Sequence, residues 1–186
     1  MKIFILRHAQ STGNERKTID SIGPKFDLGL SDEGKKQAKE LVPKLSKYDF
    51  DVFIVSPLKR TLDTIKPFLE TLKKPKLIVS ELILERNAGD LIGKPLGSLK
   101  KYCEKHNIDD LVSFRPSGGE SILEVYERTK KFLDFLKSEF SNESILICGH
   151  HTFLRCFEIL LTEKNILDYY SYEGLKNGEI KEFDVK

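Results

Sequence analysis

Three short apolar runs, each ending abruptly in side chains that no hydrophobic core accepts, constrain this chain more than any other feature. Ile3-Phe-Ile-Leu6 stops at Arg7-His8, Asp51-Val-Phe-Ile-Val55 stops at Ser56-Pro-Leu-Lys-Arg60, and Ser144-Ile-Leu-Ile-Cys148 stops at Gly149-His-His151. Continuous apolar runs bounded by polar turns predict strands covered on both faces, as in a parallel sheet. Open parallel sheets bind ligands beyond the carboxyl ends of their strands. Arg7, His8, Arg60 and His150 are therefore expected to face one crevice.

Helical patterns fill the intervals, so the expected class is α/β: a three-layer α/β/α sandwich with a mostly parallel central sheet. Ser31 is placed to cap a helix running to about Lys47, with Ala38, Leu41, Val42 and Leu45 at helical spacing. Ser56-Pro57 reads as a cap followed by proline at the first helical position, which carries Arg60 about one turn in. Pro67 should bend or divide that helix. Glu120 to Phe140 is the longest amphipathic stretch, and Asn177-Gly178 predicts a tight turn joining two terminal strands, the second near 180–185. Residues 89–119 are the least regular and are expected to cover the crevice.

With 186 residues, 39% of them hydrophobic, the chain is expected to fold as one domain over 1–186 with a sizeable core. A formal net charge of +2 gives no general case for nucleic acid or a membrane surface, so any anion binding must be local. Cys103, Cys148 and Cys156 form an odd set without metal-ligand spacing, and no signal peptide precedes the first strand; a reducing cytoplasm is the expected location. No apolar run approaches the length needed to span a bilayer. The sequence specifies no oligomeric state.

The residues at the strand ends suit phosphoryl transfer. A phosphomonoester dianion is a poor electrophile, and attack on it requires fixed positive charge around the equatorial oxygens. Arg7 and Arg60 offer planar donor forks for this purpose, with a protonated or donating His150 beside them. His8 is the expected nucleophile, provided its ring is neutral with one nitrogen held by an acceptor and the other free. The departing alkoxide needs a proton. Glu85, in Leu84-Glu-Arg-Asn-Ala-Gly89 just past another short apolar run, is the expected general acid, with Glu81 as its nearest competitor.

Leu6-Arg-His-Ala-Gln10-Ser-Thr-Gly-Asn14 resembles the signature of the histidine phosphatase superfamily, the phosphoglycerate mutase-like proteins. Further matches follow in order: Leu30-Ser-Asp-Glu-Gly34 with Gln37 and Ala38; Ser56-Pro-Leu-Lys-Arg60-Thr61; Glu85 with Gly89 and Gly93; Gly119-Glu-Ser121 with Arg128; and His150 with Arg155. The resemblance spans nearly the whole chain. It implies a phosphohistidine on His8, phosphate clamping by Arg7, Asn14, Arg60 and His150, proton transfer by Glu85, and no metal or other cofactor. The family usually has glycine where Ala9 stands, which narrows the space beside the nucleophile, and commonly glycine where His151 stands, which adds a ring at the pocket rim. Ser11 and Gln10 are expected at the entrance. Arg128 and Arg155 read as structural ion-pair partners, and His106 as surface.

Other mechanisms fit poorly. There is no Gly-x-x-x-x-Gly-Lys-Ser/Thr loop. Cys148 and Arg155 are separated by six residues where a cysteine phosphatase loop has five, and Cys148 lies inside an apolar run. The carboxylate clusters of a two-metal phosphatase are missing. The expected activity is hydrolysis of a small phosphorylated metabolite. The alternatives are a cofactor-dependent phosphoglycerate mutase and a catalytically weak phospholigand-binding regulatory protein. Against the mutase, only some thirty residues separate Glu85 from Gly119, where the resemblance implies that mutases generally carry a longer insertion to keep the intermediate from water.

Overall fold

The computed structural model describes residues 1–20, 22 and 27–185. In chain order the elements are β1 (Lys2–Arg7), α1 (Thr12–Glu15), α2 (Asp32–Leu45), β2 (Val52–Val55), α3 (Lys59–Leu69), β3 (Leu77–Val79), α4 (Ser98–Lys105), α5 (Ile122–Glu139), β4 (Ser144–Gly149), α6 (His151–Leu161) and β5 (Ile180–Asp184). The sheet order is β3-β2-β4-β1-β5; β5 runs antiparallel to β1, and the other pairs are parallel.

Alternation along the strands explains the three layers. Ile3, Ile5, Val52, Ile54, Ile145 and Ile147 point to one face, where Phe132 and Leu136 of α5 and Phe153 and Phe157 of α6 cover them. Phe4, Leu6, Phe53, Val55, Leu146 and Cys148 point to the other, against Leu41 and Leu45 of α2 and Ile65 and Phe68 of α3. Both side-chain sets are apolar, so neither face tolerates water. The expected α/β/α sandwich is present.

Local rules held where side chains near in sequence set them. Ser31 accepts from the Gly34 amide at 3.0 Å and opens α2, while Ser121 and Glu124 form a reciprocal capping box at the start of α5. Gly34 is required by close approach, since a Cβ there would stand 2.0 Å from the Gln10 carbonyl oxygen.

Three expectations need correction. α3 begins at Lys59, with Leu58 at the cap and no side-chain cap bond, so Ser56 does not cap it and Arg60 is its second residue. The carboxylate of Asp27 receives the Lys59 amide instead. Of the expected bend or division at Pro67, division does not occur: α3 runs through it to Leu69, and the proline removes only its own bond to the carbonyl four residues back. The turn at Asn177-Gly178 forms, with Gly178 at φ +71°, but no strand precedes it. The residues before it instead cross the end of β1, where the Leu175 carbonyl accepts from Arg7. Only β5 follows, pairing with β1.

Residues 89–119 are more ordered than expected, since they contain α4 and a short 3-10 turn at Gly89–Leu91. They are tied by backbone hydrogen bonds to the segment after α1: Ile19 donates to Lys94 at 2.8 Å, Gly93 donates to Ile19 at 3.0 Å, and Leu96 donates to Lys17 at 2.8 Å. Among the described residues, no helix is long and apolar enough to cross a membrane.

Candidate active site

The carboxyl ends of β1, β2 and β4 converge on a cavity of about 310 Å³. The His8 amide donates to Gly149 at 3.0 Å, which prolongs the β1–β4 ladder by one residue and aligns the two histidine-bearing ends. The His8 ring lies 2.7 Å, through Nδ1, from the carbonyl oxygen of Ala9. A carbonyl can only accept, so Nδ1 carries the proton and the neutral ring leaves its Nε2 lone pair unused. Burial, reinforced by Arg60 and Arg7, holds this imidazole well below its ordinary value of 6.5. Ala9 does not take positive φ, and its amide donates to Thr64 Oγ1 at 2.9 Å, so alanine serves here without backbone strain.

Arg7 donates through one terminal nitrogen to the Leu175 carbonyl at 2.7 Å, and its buried Nε has no partner among the described residues. Arg60, only 1% exposed, donates from Nε to His150 Nδ1 at 3.2 Å and pairs with Asp27 at 3.2 Å. With Nδ1 accepting, a neutral His150 bears its proton on Nε2, which lies 2.7 Å from Ser56 Oγ. Burial and the neighbouring Arg60 keep this ring well below the usual histidine range. His150 is thus neutral, wholly buried, and set behind Arg60 rather than on the cavity wall. Of the two expected forms, protonated or donating, the surroundings favour the neutral one, because a buried imidazolium beside a guanidinium would lack both water and a counter-charge.

Glu85 faces the same cavity, and Glu81 does not. Its Oε1 accepts from the Arg86 amide at 2.8 Å and from the Thr152 amide, in the first turn of α6, at 3.1 Å. Arg128 donates to the carbonyls of Leu82 and Leu84 at 2.9 and 2.8 Å and pairs with Glu120 at 3.1 Å; Glu120 in turn accepts from the Asn87 amide at 2.8 Å. The expected Arg128 ion pair therefore grips the backbone on both sides of Glu85. Arg155 makes no such pair among the described residues and instead lies over the Tyr169 ring at 4.2 Å.

The remaining expected residues divide. Asn14 lines the cavity; its Oδ1 accepts from Ser11 and from Asn177 Nδ2 at 3.0 Å, which leaves the amide nitrogen as its donor. His151 lines the rim, and Gly174 makes room for it, since a Cβ at 174 would stand 2.5 Å from its ring. Burial and Arg7 lower the His151 pKa. Ser11 and Gln10 are not on the cavity wall: Ser11 caps α1 and donates to Asp20, and Gln10 Oε1 accepts from Ser31 at 2.7 Å. His106 is exposed, as expected.

Sequence reasoning missed four residues. Ser56 was read as a cap. Asn177 was read only as a turn, although its amide also donates to the His8 carbonyl at 2.9 Å. Asp20, whose carboxyl burial raises above its ordinary value, lines the cavity from a segment with no distinguishing pattern, and Arg86 lines it from within the Glu85 motif, where the adjacent acid drew the attention.

Residues 3–186 match the sequence profile of the histidine phosphatase superfamily, branch 1. The chain belongs to that superfamily. This superfamily member is 30% identical over 175 residues to phosphoserine phosphatase 1 of Hydrogenobacter thermophilus, covering 92% of this chain and 81% of that one. It is 33% identical over 137 residues to a fructose-2,6-bisphosphatase of Xenopus tropicalis, covering 72% of this chain but 49% of that longer protein. Among solved structures it superposes on a mycobacterial glucosyl-3-phosphoglycerate phosphatase with a TM-score of 0.82, at 19% identity over 97% of this chain and 91% of the other. That likeness shows the histidine phosphatase fold.

Proposed function

We propose that this protein hydrolyses phosphomonoesters of small metabolites through a phosphohistidine at His8 Nε2. The observation that carries this reading is the His8 tautomer: Nδ1–H is bound to the Ala9 carbonyl, and the ring is kept neutral beside two arginines. In the first step the Nε2 lone pair forms a bond to phosphorus while the ester P–O bond breaks. Glu85, as the carboxylic acid, gives its proton to the departing oxygen. In the second step water attacks phosphorus, Glu85 takes the water proton, and the N–P bond returns its electrons to Nε2. Arg7 and Arg60, with the Asn14 amide, offset charge on the equatorial oxygens. His150 is a positioning residue, holding Arg60 from behind, and His151 borders the leaving group.

This reading takes residues 1–186 as one catalytic unit with residues 89–119 as its cover, a small phosphorylated molecule as its partner rather than nucleic acid or membrane, and the cytoplasm as its location. Three buried, unpaired cysteines support a reducing compartment. The printed activities of the relatives at 30% identity or more, phosphoserine phosphatase and fructose-2,6-bisphosphatase, support hydrolysis, while a phosphoglycerate mutase matches at 28%.

The test is rapid quenching after brief exposure to phenyl phosphate. An acid-labile, base-stable phosphoryl adduct should form, inorganic phosphate should be released, and His8→Ala should lose both, with turnover down by at least about 10⁴-fold. Normal turnover in His8→Ala, or isomer interconversion of 3-phosphoglycerate without phosphate release, would overturn the reading.

A further inference from the structure

Above its charged floor, the cavity changes character. Ile19 closes one side, Leu91, Leu96 and Leu99 descend from the cover, and Ala88 and Pro116 complete the wall. This wall is built rather than accidental. The backbone bonds between residues 17–19 and 93–96 join Ile19 to the cover across the cleft, so the apolar groups from both sides are held in register.

The charges in the cavity point the same way. Arg7 and Arg60 belong to the phosphoryl group. Among the described residues, the one further arginine or lysine on the wall is Arg86, whose Nε donates to the Glu120 carbonyl at 2.7 Å and whose terminal nitrogen reaches the Phe114 carbonyl at 3.4 Å. Two of its three nitrogens thus bond backbone carbonyls. The lysines at 94, 100 and 101 do not line the cavity, whereas the carboxylates of Asp20 and Glu85 do. Among the described residues, a second anionic group on the substrate would meet mainly apolar walls, two acids and the neutral Thr18 and His151, with no lysine or further arginine beyond Arg86 to offset its desolvation.

Resting on the hydrolase reading above, we propose that the preferred phosphomonoester carries an uncharged, largely apolar alcohol or phenol, and that Leu96, Leu99 and Ile19 set this preference. Substrates bearing a carboxylate or a second phosphate are poor ones.

The test has two arms. In the first, phosphate release is followed for ethyl, butyl and hexyl phosphate, phosphoethanolamine and 3-phosphoglycerate. kcat/KM should rise roughly two- to four-fold per methylene, the increment expected for partial to full burial of each group. Phosphoethanolamine and 3-phosphoglycerate should fall below butyl phosphate. In the second, binding of methyl to hexyl phosphonate is measured by calorimetry, which reports the wall without turnover. Leu96→Asn, at a side chain 58% exposed and so tolerant of polarity, should flatten both series, and Leu96→Met should restore the slope. A flat chain-length series in both arms overturns the proposal, as does preference for 3-phosphoglycerate or for phosphoethanolamine, the latter showing that Asp20 reads a cation. Absent turnover with phosphonate affinity still rising along the series overturns the hydrolase reading and leaves the ligand class standing.

Discussion

His8 and His150 are both imidazoles at strand ends, both fully buried, and opposite in tautomer. The difference comes from what each ring meets at Nδ1: a carbonyl at His8, which requires a proton there, and a guanidinium at His150, which requires a lone pair. One ring therefore presents a free Nε2 to the cavity, and the other points its Nε2–H at Ser56. Glu85 completes the set, and its role has a specific signature. Glu85→Gln should slow alkyl phosphates by about 10²-fold or more while sparing p-nitrophenyl phosphate, because an alkoxide leaves only if protonated and a nitrophenolate leaves unaided. Equal losses on both would reassign Glu85 to binding. The identities of these residues were legible in the sequence, since each follows an apolar run or sits in a spaced motif. The need for a neutral His8 held at one nitrogen followed from its expected role, but the atoms that fix each proton were not legible, because Ala9, Arg60 and Ser56 supply them only after the chain has folded.

The segments that carry these residues differ in how far local rules governed them. α2 begins where its capping Ser31 predicted, because the cap and the amide it satisfies lie three residues apart. α3 does not, because its first amide is received by Asp27, thirty-two residues earlier in the chain. The loop bearing Glu85 likewise depends on a distant partner, Arg128 of α5, through Glu120. Glu120→Ala should cost about 2 kcal/mol of stability, leaving a partly buried guanidinium short of a partner. It should also lower kcat by roughly ten-fold as the Glu85 backbone loosens. Glu120→Gln, which retains an acceptor for the Asn87 amide, should recover part of each. Denaturant unfolding and steady-state kinetics on the two variants would show whether the clamp acts on stability alone.

Across the fold, the buried charge-bearing groups give a pH response of definite sign. His8, His150 and His151 all have pKa values lowered on folding, chiefly by burial. The unfolded chain therefore binds more protons than the folded one once the pH falls below the ordinary histidine value of 6.5. Their contribution leaves stability undiminished above that pH and lowers it progressively as the pH drops toward the folded-state values. Chemical denaturation between pH 8 and 5 should show stability falling on the acid side, and His8→Ala should make that decline shallower. An unchanged slope in the variant would count against a buried, neutral His8.

The apolar runs, their abrupt polar ends and the alternating helical intervals were enough to specify a mostly parallel sheet sandwiched by helices, with arginines and histidines gathered at one edge. That information is local and periodic: burial on both faces of a strand is written in a run of four or five residues. Contacts between distant segments settled the rest. The N-terminal segment was joined to the cover by backbone bonds that carry no side-chain signature, Asp20 and Arg86 were brought into the cavity, Ser11 and Gln10 were drawn away from it, and His150 was placed behind Arg60. Residue type announces what a side chain can do in chemistry, but direction, burial and proton position are properties of the neighbours that folding supplies.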